Sequence, residues 1–493
     1  MKIYFITERL DNKLIYILKQ FLDFSTLDIQ IEIRKFTDQE VGEEKKIYYL
    51  TDFRKVEKGQ GVFIHSSRDW DTAGAQKINH NYKGRDFLVW KDFLREEPFI
   101  KNDGQRTYLN FDLFAQAFYQ LSCYQEFVLE AEGKRANSNA GKIPADKDIL
   151  QSPNVNMLFL ILEGLIADIF GIERAEKNRY PSGKQFAVLL THDLDAVKKT
   201  FKGRVKHIFH GLNRAARLTR SGKFSKVPEE LGRTFYKFFG SARYDNLAYL
   251  GALEEKEGFK SSLNIYVMNK KNKAGFSNWF YNPDYNISKD AALAEEVKNS
   301  AGKYFELGIH GSFSSACDSA LLGQEIKSLE EVTQRKVSGG RQHFLDYSVS
   351  RTPRVFQDAG LEYDTTVGFR DINGFRAGAC LPYYLYSLGS DSSTGVLEIP
   401  LAIMDGVLFD RQEGAREIAW QETEAILEKV KNARGCCSVV WHGHVFNNPD
   451  YPYWEEIYLM LIAWVKDNGG ALLGPGELNK FWREKKQGRL INA

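Results

Sequence analysis

Residues 186–197, FAVLLTHDLDAV, decide how the rest of this chain is interpreted. The apolar run FAVLL predicts a buried β-strand, which ends abruptly in THDLD with three ionisable side chains. Such an end is either an ordinary exit to solvent or the rim of a parallel sheet, where α/β enzymes hold their catalytic groups.

Alternating strand and helix patterns continue after this stretch. The candidate strands that follow FAVLLTH are SSLNIYVM, YFELGIH, VSGGRQHF, EYDTTVGF, VLEIPLAI and CSVVWHGH, with helical patterns between most of them. This alternation predicts a parallel sheet. We therefore expect an α/β fold in which residues 184–493 form an irregular (β/α) barrel of about seven strands.

The length of 493 residues is too great for one ordinary core and predicts two domains. Residues 1–180 combine strand patterns such as KIYYLTDF with helical ones such as NVNMLFLILEGLIADIFGI, which predicts a smaller N-terminal α/β domain. Its histidines, His65 and His80, are isolated, so we expect structural or surface roles for them. The role of this domain is left open.

Composition and charge exclude several classes of protein. The net charge of +2 gives no sign of a nucleic-acid partner. No apolar run is long enough to cross a bilayer, and the first residues lack the pattern of a signal peptide. The five cysteines form neither a disulfide framework nor a CxxC site. We expect a cytoplasmic protein.

One strongly basic segment, residues 196–228, contains ten lysines and arginines and no acidic residue. Apolar residues such as Val205, Ile208 and Phe209 interleave with the bases. One interpretation is a solvated insertion. The other is an amphipathic basic helix that makes peripheral contact with anionic membrane lipid or an acidic glycan.

Polar and ionisable side chains gather where the predicted strands end. They are His192, Asp193, Asp195, His310, Arg341, His343, Asp364, Arg376, Glu398, Asp405, His442 and His444. The carboxyl ends of parallel strands converge on one face, so we expect an active site there. Two histidines and a carboxylate with one open position suit a catalytic zinc ion, and a second carboxylate can take the proton from water. Asp193 and Asp195 can fill the two carboxylate roles.

The motifs in this second half resemble those of the polysaccharide deacetylases, the NodB homology family of carbohydrate esterases. THDLD resembles the first motif, which implies that Asp193 is the general base and Asp195 a metal ligand. HGSFSS resembles the second motif, which implies that His310 binds the metal. The resemblance implies a (β/α) barrel and a divalent metal, for which we expect Zn²⁺.

The later motifs extend the resemblance. GFRAG resembles the third motif and implies that Arg376 orients the base, while Asp405, with Glu398 as second choice, is expected to support that arginine. VVWHGH resembles the fifth motif and implies that His442 is the general acid. The whole order also resembles longer bacterial members with an extra N-terminal domain, which often occur with cell-surface polysaccharide synthesis.

This sequence also departs from the family pattern. Ser314 stands where the second motif has its distal histidine, and we expect His343 to replace it because it ends the next strand. Ala377-Gly378 follow Arg376 in place of the usual Pro-Tyr. The nearby LPYY is a candidate replacement, and we assign Arg341, Tyr383 and Trp441 as substrate contacts.

Three functions are weighed. The first is a metal-dependent deacetylase that removes an N- or O-acetyl group from a glycan or glycan precursor; a cytoplasmic enzyme would act on a nucleotide sugar, a lipid-linked intermediate or a small amide. The second is a non-catalytic carbohydrate-binding protein on a degenerate barrel, which the missing histidine favours. The third is glycoside hydrolysis by paired carboxylates, which leaves the histidines without a role.

Overall fold

A computed structural model describes residues 1–37, 44–56, 59–67, 69–70, 76–133, 151–175, 179–240, 244, 246–267, 282–411, 416–485 and 489–491. Its strands are β1 Lys2–Thr7, β2 Gln30–Lys35, β3 Lys46–Leu50, β4 Gly61–His65, β5 Lys77–Tyr82, β6 Arg85–Trp90, β7 Ile100–Asn102, β8 Arg106–Leu109, β9 Ala187–Leu194, β10 Ser261–Tyr266, β11 Phe305–Gly311, β12 Gly339–Gln342, β13 Tyr363–Asp364, β14 Tyr383–Ser387, β15 Ser392–Glu398, β16 Leu401–Met404, β17 Cys436–Val440, β18 Ala471–Leu473 and β19 Leu490–Ile491.

The α-helices lie between these strands, mostly one per connection. They are α1 Asn12–Phe24, α2 Leu113–Leu121, α3 Tyr124–Ala131, α4 Asn154–Phe170, α5 Phe201–Arg220, α6 Val227–Phe239, α7 Leu247–Glu257, α8 Ala291–Ser300, α9 Ser319–Thr333, α10 Thr352–Asp358, α11 Asp405–Arg411, α12 Arg416–Asn432, α13 Trp454–Asp467 and α14 Pro475–Glu484. None of the helices in these described ranges is long and apolar enough to span a membrane.

The first sheet has the strand order β19-β2-β1-β3-β4-β8-β7 and is parallel except for the β7–β8 pair. β5 and β6 form a separate antiparallel hairpin. α1 begins where the Asp11 carboxylate accepts from the Leu14 amide, which satisfies a donor left free at the helix start. The last strand, β19, pairs with β2, so the C-terminus of the chain joins the N-terminal sheet.

The second sheet is built around β9, whose sequence is AVLLTHDL. Every residue of β9 is buried, because parallel sheets are covered on both faces. β9 pairs in parallel with β10, β17 and β18, and the pairing continues from β10 through β11 and β12 to β13 and β15. The prediction of a mixed α/β fold with parallel sheets is confirmed.

Two short strands, β15 and β16, belong to one stretch of chain that changes neighbours. β15 pairs with β13 and with the antiparallel β14, whereas β16 pairs with β17. Pro400 lies between them and lacks an amide hydrogen, which interrupts the ladder, while its carbonyl accepts from the Ser438 amide. The stretch VLEIPLAI, predicted to be one strand, therefore belongs to two strands. The sequence patterns did not predict β14.

Helices α1 and α4 of the first half of the chain contact the second half directly. The Tyr16 hydroxyl of α1 donates to the Tyr384 carbonyl at 2.7 Å, and the Val155 amide donates to the Gly378 carbonyl at 2.9 Å. The apolar core includes residues from both halves of the chain. The division into domains at residues 180–184 stays a prediction.

The basic segment 196–228 contains α5 and leads into α6, and these helices form an antiparallel pair that we call the α5–α6 hairpin, residues 201–239. Thr200 caps α5 through the Gly203 amide. A Cβ on Gly211 would lie 1.9 Å from the Thr234 hydroxyl, so the glycine permits the helices to approach this closely. Arg214 and Glu230 form an ion pair at 2.8 Å across the hairpin.

Candidate active site

Asp193 lies near the carboxyl end of β9, where two buried side chains hold its carboxylate. Asn264 lies opposite it in register on β10 and donates from Nδ2 to Oδ1 at 2.8 Å. Arg341 reaches it from β12 and donates from Nη1 at 3.1 Å. Burial alone would raise the pKa of Asp193. The positive charges of Arg341 and His310 have the larger, opposite effect, so the pKa lies below its ordinary value and the group is held as a carboxylate.

Asp195 lies two residues beyond Asp193, and its carboxylate faces three imidazoles. Oδ1 lies 3.5 Å from His310 Nε2 and 3.6 Å from His343 Nε2, while Oδ2 lies 3.4 Å from His442 Nε2. Ligand atoms of Asp195, His310 and His343 all lie within 4.8 Å of one another. We call these three residues the triad.

The ends of two neighbouring strands bring the histidines of the triad together. His310 lies opposite Arg341 in the β11–β12 register, and His343 follows two residues after Arg341. The backbone then turns away sharply, since Phe344 and Leu345 have φ angles of 59° and 51°. His343 thus faces Asp195 beside His310, as the sequence predicted for the strand that follows β11.

The donor set of the triad fits a divalent metal. Asp195 Oδ1, which faces both histidines, is buried and has no hydrogen-bond partner within the described residues. Two ligands of a tetrahedral zinc ion with bonds of about 2.0–2.1 Å lie roughly 3.3 Å apart, close to the two Asp195–histidine distances. The distances from Asp195 Oδ1 to the two histidine nitrogens are therefore closer to those between two ligands of one ion than to those of direct hydrogen bonds.

The two histidines differ in protonation. Burial lowers the pKa of His310, but the Asp193 and Asp195 carboxylates raise it above the ordinary value, so a metal would have to displace a proton from His310. His310 Nδ1 lies 3.1 Å from the Arg341 carbonyl, which can only accept, so Nε2 remains to face Asp195. Burial lowers the pKa of His343 to about 3, which keeps its imidazole neutral. A neutral imidazole is the form that binds a metal.

His442 follows β17 and is held by Asp405, the first residue of α11. His442 Nδ1 lies 2.7 Å from Asp405 Oδ1, and the His442 amide donates to Oδ2 at 2.7 Å. Burial lowers the pKa of His442, but the Asp405 and Asp195 carboxylates raise it well above the ordinary value. The imidazole therefore carries a proton near neutral pH, next to the triad.

His192, the histidine of the THDLD stretch, faces away from the site. Its Nε2 lies 2.8 Å from Glu254, its Nδ1 lies 2.5 Å from the Trp441 carbonyl, and the side chain is completely buried. The strand alternates, so Asp193 points inward while its neighbour packs under α7 and α13. His192 therefore packs away from the site.

The expected contact of Arg376 with the base is wrong. Its guanidinium donates to both oxygens of Glu126 at 2.9 and 2.6 Å and to the Gly368 carbonyl at 3.2 Å. Asp405, expected to support Arg376, holds His442 instead. The positively charged side chain that contacts Asp193 is Arg341. It lies on β12, and its Nη1 is 3.1 Å from Asp193 Oδ1.

The three expected substrate contacts lie inside the protein. Arg341 is 1 % exposed, and its guanidinium is used by Asp193, Thr191 and the Thr365 carbonyl. Tyr383 and Trp441 are completely buried in the apolar core. Tyr383 lies on β14, whose residues are all buried, and Trp441 follows directly after the buried strand β17. The expected role of the three side chains as substrate contacts is therefore wrong.

Glu398, the second choice beside Asp405, lies on β15 away from the triad. Burial and the neighbouring Asp364 carboxylate raise the pKa of Glu398 well above its ordinary value. Its Oε1 accepts from the Val367 amide at 2.9 Å. Glu398 is therefore an uncharged structural group.

Sequence reasoning missed Asn264. It is a polar residue inside the otherwise apolar run LNIY, and that position was the available signal. Because its amide donates to Asp193, it fixes the orientation of that carboxylate together with Arg341.

A cleft of about 340 Å³ opens over the site, which we call the site cleft. Asp195, His442 and His444 line its floor, and Tyr451 and Trp454 line one side. Side chains of the α5–α6 hairpin line the other side. The hairpin therefore lines the same cleft as Asp195, the member of the triad that is among its lining residues.

Comparisons with known proteins give one family match. The family model for DUF7033, a family of unknown function, matches residues 2–171. No curated protein matches the chain.

Solved structures give weaker similarities. A protein provisionally described as a polysaccharide deacetylase from Mycobacterium smegmatis is 17% identical, with a TM-score of 0.40 over 62% of this chain and 93% of its own. Puue allantoinase is 10% identical, with a TM-score of 0.39 over 62% and 93%. A CE4 family pseudoenzyme from Bacillus anthracis is 10% identical, with a TM-score of 0.29 over 62% and 66%. At these scores the similarities decide neither the fold nor the activity of this chain.

Proposed function

We propose that this chain is a metal-dependent deacetylase that hydrolyses an N- or O-acetyl group on a glycan or glycan precursor. One observation carries the proposal: a carboxylate and an imidazole both lie against the triad, with Asp193 Oδ2 4.0 Å from His310 Nδ1 and His442 Nε2 3.4 Å from Asp195 Oδ2. A base and an acid beside a metal site are the groups that hydrolysis of an amide or ester needs. The order of the sequence motifs supports the same reaction.

Asp195, His310 and His343 would hold the metal, and we propose Zn²⁺ because two imidazoles and one carboxylate are a usual catalytic set for it. Such an ion lowers the pKa of water and polarises a carbonyl group. His343 takes the place of the missing histidine of the second motif. Ser314 then needs no role as a ligand.

Asp193 would take the proton from the attacking water. Arg341 and Asn264 hold its carboxylate in place and keep it ionised, so they act as positioning residues. His442 would give its proton to the departing nitrogen or oxygen, since Nε2 faces the triad while Asp405 holds Nδ1. The proton balance closes, because one group takes a proton and the other gives one.

We infer that β9 to β13, the stretch 392–404 and β17 form the irregular (β/α) barrel of seven strands. The pairings support this closure: β13 pairs with β15, the chain continues through Pro400 into β16, and β16 pairs with β17, which pairs with β9. The substrate would enter at the carboxyl ends of these strands.

We also propose that the α5–α6 hairpin makes peripheral contact with an anionic membrane. Phe201, Phe224, Phe235 and Phe239 are 73, 66, 67 and 64 % exposed. Such aromatic exposure is unusual for a surface in water, and the basic residues of α5 complement anionic headgroups. The exposed aromatic side chains favour this proposal over a solvated insertion. A cytoplasmic location stays a prediction.

Release of acetate tests the proposed activity. The zinc-loaded protein is incubated with N-acetylated and O-acetylated oligosaccharides, and free acetate is measured beside the Asp193→Asn and Asp11→Asn variants. Asp11 caps α1 far from the site, and asparagine caps a helix equally well, so it is the matched control. We expect release by the wild type and the control, and its loss in Asp193→Asn.

Folded, zinc-loaded protein that releases no acetate from any of these substrates would contradict the proposal. If the same protein still bound the oligosaccharides, the carbohydrate-binding alternative would be favoured.

A further inference from the structure

One wall of the site cleft is lined by basic side chains, two of which have carboxylate partners: Lys198 Nζ lies 3.4 Å from Asp290 Oδ2, and Arg214 Nε lies 2.8 Å from Glu230 Oε1. Lysine and arginine side chains enter it from α5, from α6 and from the loop before α5; they are Lys198, Lys206, Arg214 and Lys237. The acidic side chains among its lining residues are Asp195, a member of the triad, and Asp284. A divalent ion on the triad would neutralise Asp195 and leave the wall more positive.

Lys206 is the basic residue whose placement is hardest to explain by folding alone. Its Nζ donates to the Asn282 carbonyl at 3.2 Å, and no carboxylate among the described residues lies within 4.0 Å of it. By contrast, the nearby Lys202 and Lys199 have carboxylate partners, Asp284 and Asp450, each at 2.6 Å. Lys206 is thus a half-buried ammonium group held in the cleft by a neutral acceptor.

The charges around Lys206 oppose one another. Burial and the charge of Lys202 lower the pKa of the Lys206 ammonium more than the Asp284 and Asp195 carboxylates raise it. Charged groups without a partner are disfavoured away from water, so the position is stabilised by any anion that enters. The neighbouring His207 is buried under the same positive field, and burial lowers its pKa to about 3.

We infer that the site cleft binds a phosphoryl group of the substrate, so that the deacetylated sugar is a phosphate or diphosphate ester. The inference rests on the proposed function and names its substrate class. The Lys206 ammonium, among the basic side chains that line the same cleft, suits the negative charge and the oxygens of a phosphoryl group. Binding energy at the phosphoryl group would position the acetyl group at the triad.

Binding of a phosphorylated sugar tests this inference without any turnover. N-acetylglucosamine 1-phosphate and its neutral methyl glycoside are titrated into full-length, zinc-loaded Asp193→Asn protein, with dissociation constants measured by ligand-observed NMR. We expect the phosphate ester to bind at least tenfold more tightly. Adding Lys206→Met should remove at least tenfold of that affinity, whereas Lys256→Met, an exposed lysine of α7, should leave it unchanged.

Three results would overturn the inference. They are equal affinity for the charged and neutral sugars, unchanged affinity in Lys206→Met with a native melting temperature, and affinity that disappears in Asp195→Ala while surviving in Lys206→Met. The last result would mean that the phosphate binds the metal. Loss of acetate release with all sugars, together with tight phosphate binding, would instead contradict the proposed function alone.

The source of the phosphoryl group is distinguished by activity. A soluble source predicts that UDP-N-acetylglucosamine is deacetylated in solution. A lipid source predicts turnover of polyprenyl-diphosphate N-acetylglucosamine in vesicles and at least tenfold slower turnover of the soluble compound. Equal turnover of these compounds and of the neutral methyl glycoside would count against the inference itself.

Discussion

The Arg341 guanidinium on β12 donates to Asp193 and, of the charged neighbours, lowers its pKa most. Arg341→Gln removes the cation but leaves the burial that raises the pKa of Asp193. The carboxylate should then ionise only at higher pH, so the acidic limb of the kcat/KM–pH profile should move to higher pH. An activity loss without movement of this limb would mean that Arg341 has a purely structural role.

His442 has the opposite dependence, because its protonated form is the active one. Asp405 raises the pKa of His442, so Asp405→Asn should lower that pKa and move the alkaline limb of kcat/KM to lower pH. We also expect kcat to fall by about 10²–10⁴-fold, the usual contribution of a general acid. The pH profile is compared with that of Asp11→Asn, and an unchanged alkaline limb would contradict the assignment.

The sequence predicted that the three residues of the triad lie together. It did not predict which arginine contacts Asp193. Asp195, His310 and His343 were found because parallel strand ends converge. Arg376 was misassigned because its position in a motif does not reveal its partner, and Glu126 lies far away in sequence. Their chemical roles, as opposed to their positions, stay predictions.

At the scale of elements, the α5–α6 hairpin carries the membrane proposal. Replacing Phe235 and Phe239 by serine removes two aromatic rings whose centroids lie 4.5 Å apart. Both rings are exposed and do not belong to the buried core. Cosedimentation with vesicles that contain phosphatidylglycerol should fall at least several-fold, and binding should weaken as salt increases. The matched control is Tyr453→Ser, an exposed aromatic outside the hairpin.

Equal sedimentation of the wild type and the Phe235/Phe239 variant would contradict the membrane proposal. Equal loss in the Tyr453 control would show a general effect of exposed aromatic side chains instead.

Glu306 links β11 to the start of α14 and gives folding a pH dependence. Its carboxylate accepts from the Gly476 and Glu477 amides at 2.7 and 3.0 Å, yet burial raises its pKa to about 7. The unfolded group ionises near its ordinary value, so its contribution to stability is complete at low pH and is lost as the pH rises through about 7.

Glu306→Gln should therefore raise the melting temperature relative to the wild type at pH 8 and change it little at pH 5. Calorimetry at the two pH values checks this. A variant that is equally destabilised at both would show that the hydrogen bonds, and not the charge, dominate at this position.

Strand patterns predicted most of the second sheet, because parallel strands buried on both faces have continuous apolar runs. β14 was missed because YYLYS lies in a region dominated by motif residues and pairs antiparallel to β15. The pairing of β19 with β2 could not be predicted, since no local pattern records a partner that lies more than 450 residues away.

At the scale of the whole molecule, the Glu126–Arg376 ion pair joins α3 to the second sheet. Both side chains are buried, so Glu126→Gln should leave an unpaired guanidinium and lower the free energy of unfolding by about 3–5 kcal/mol. The double variant Glu126→Leu/Arg376→Met removes both charges and should recover most of that loss. Urea denaturation measures both.

The double variant also separates structure from catalysis. Because Arg376 does not contact Asp193, kcat per folded molecule should stay within about threefold of the wild type, well below the effect of losing a catalytic group. A loss of a hundredfold or more would restore the role that the sequence resemblance gave to Arg376.

The central claim is that Asp195, His310 and His343 hold a metal ion. Elemental analysis of protein purified without a metal-affinity tag tests it most directly, beside Asp195→Ala, His343→Ala and the control His80→Ala. We predict about one zinc ion per chain in the wild type and the control, and its loss in both triad variants. Protein that takes up no metal even after exposure to zinc or cobalt, or metal retained in both triad variants, would contradict the account.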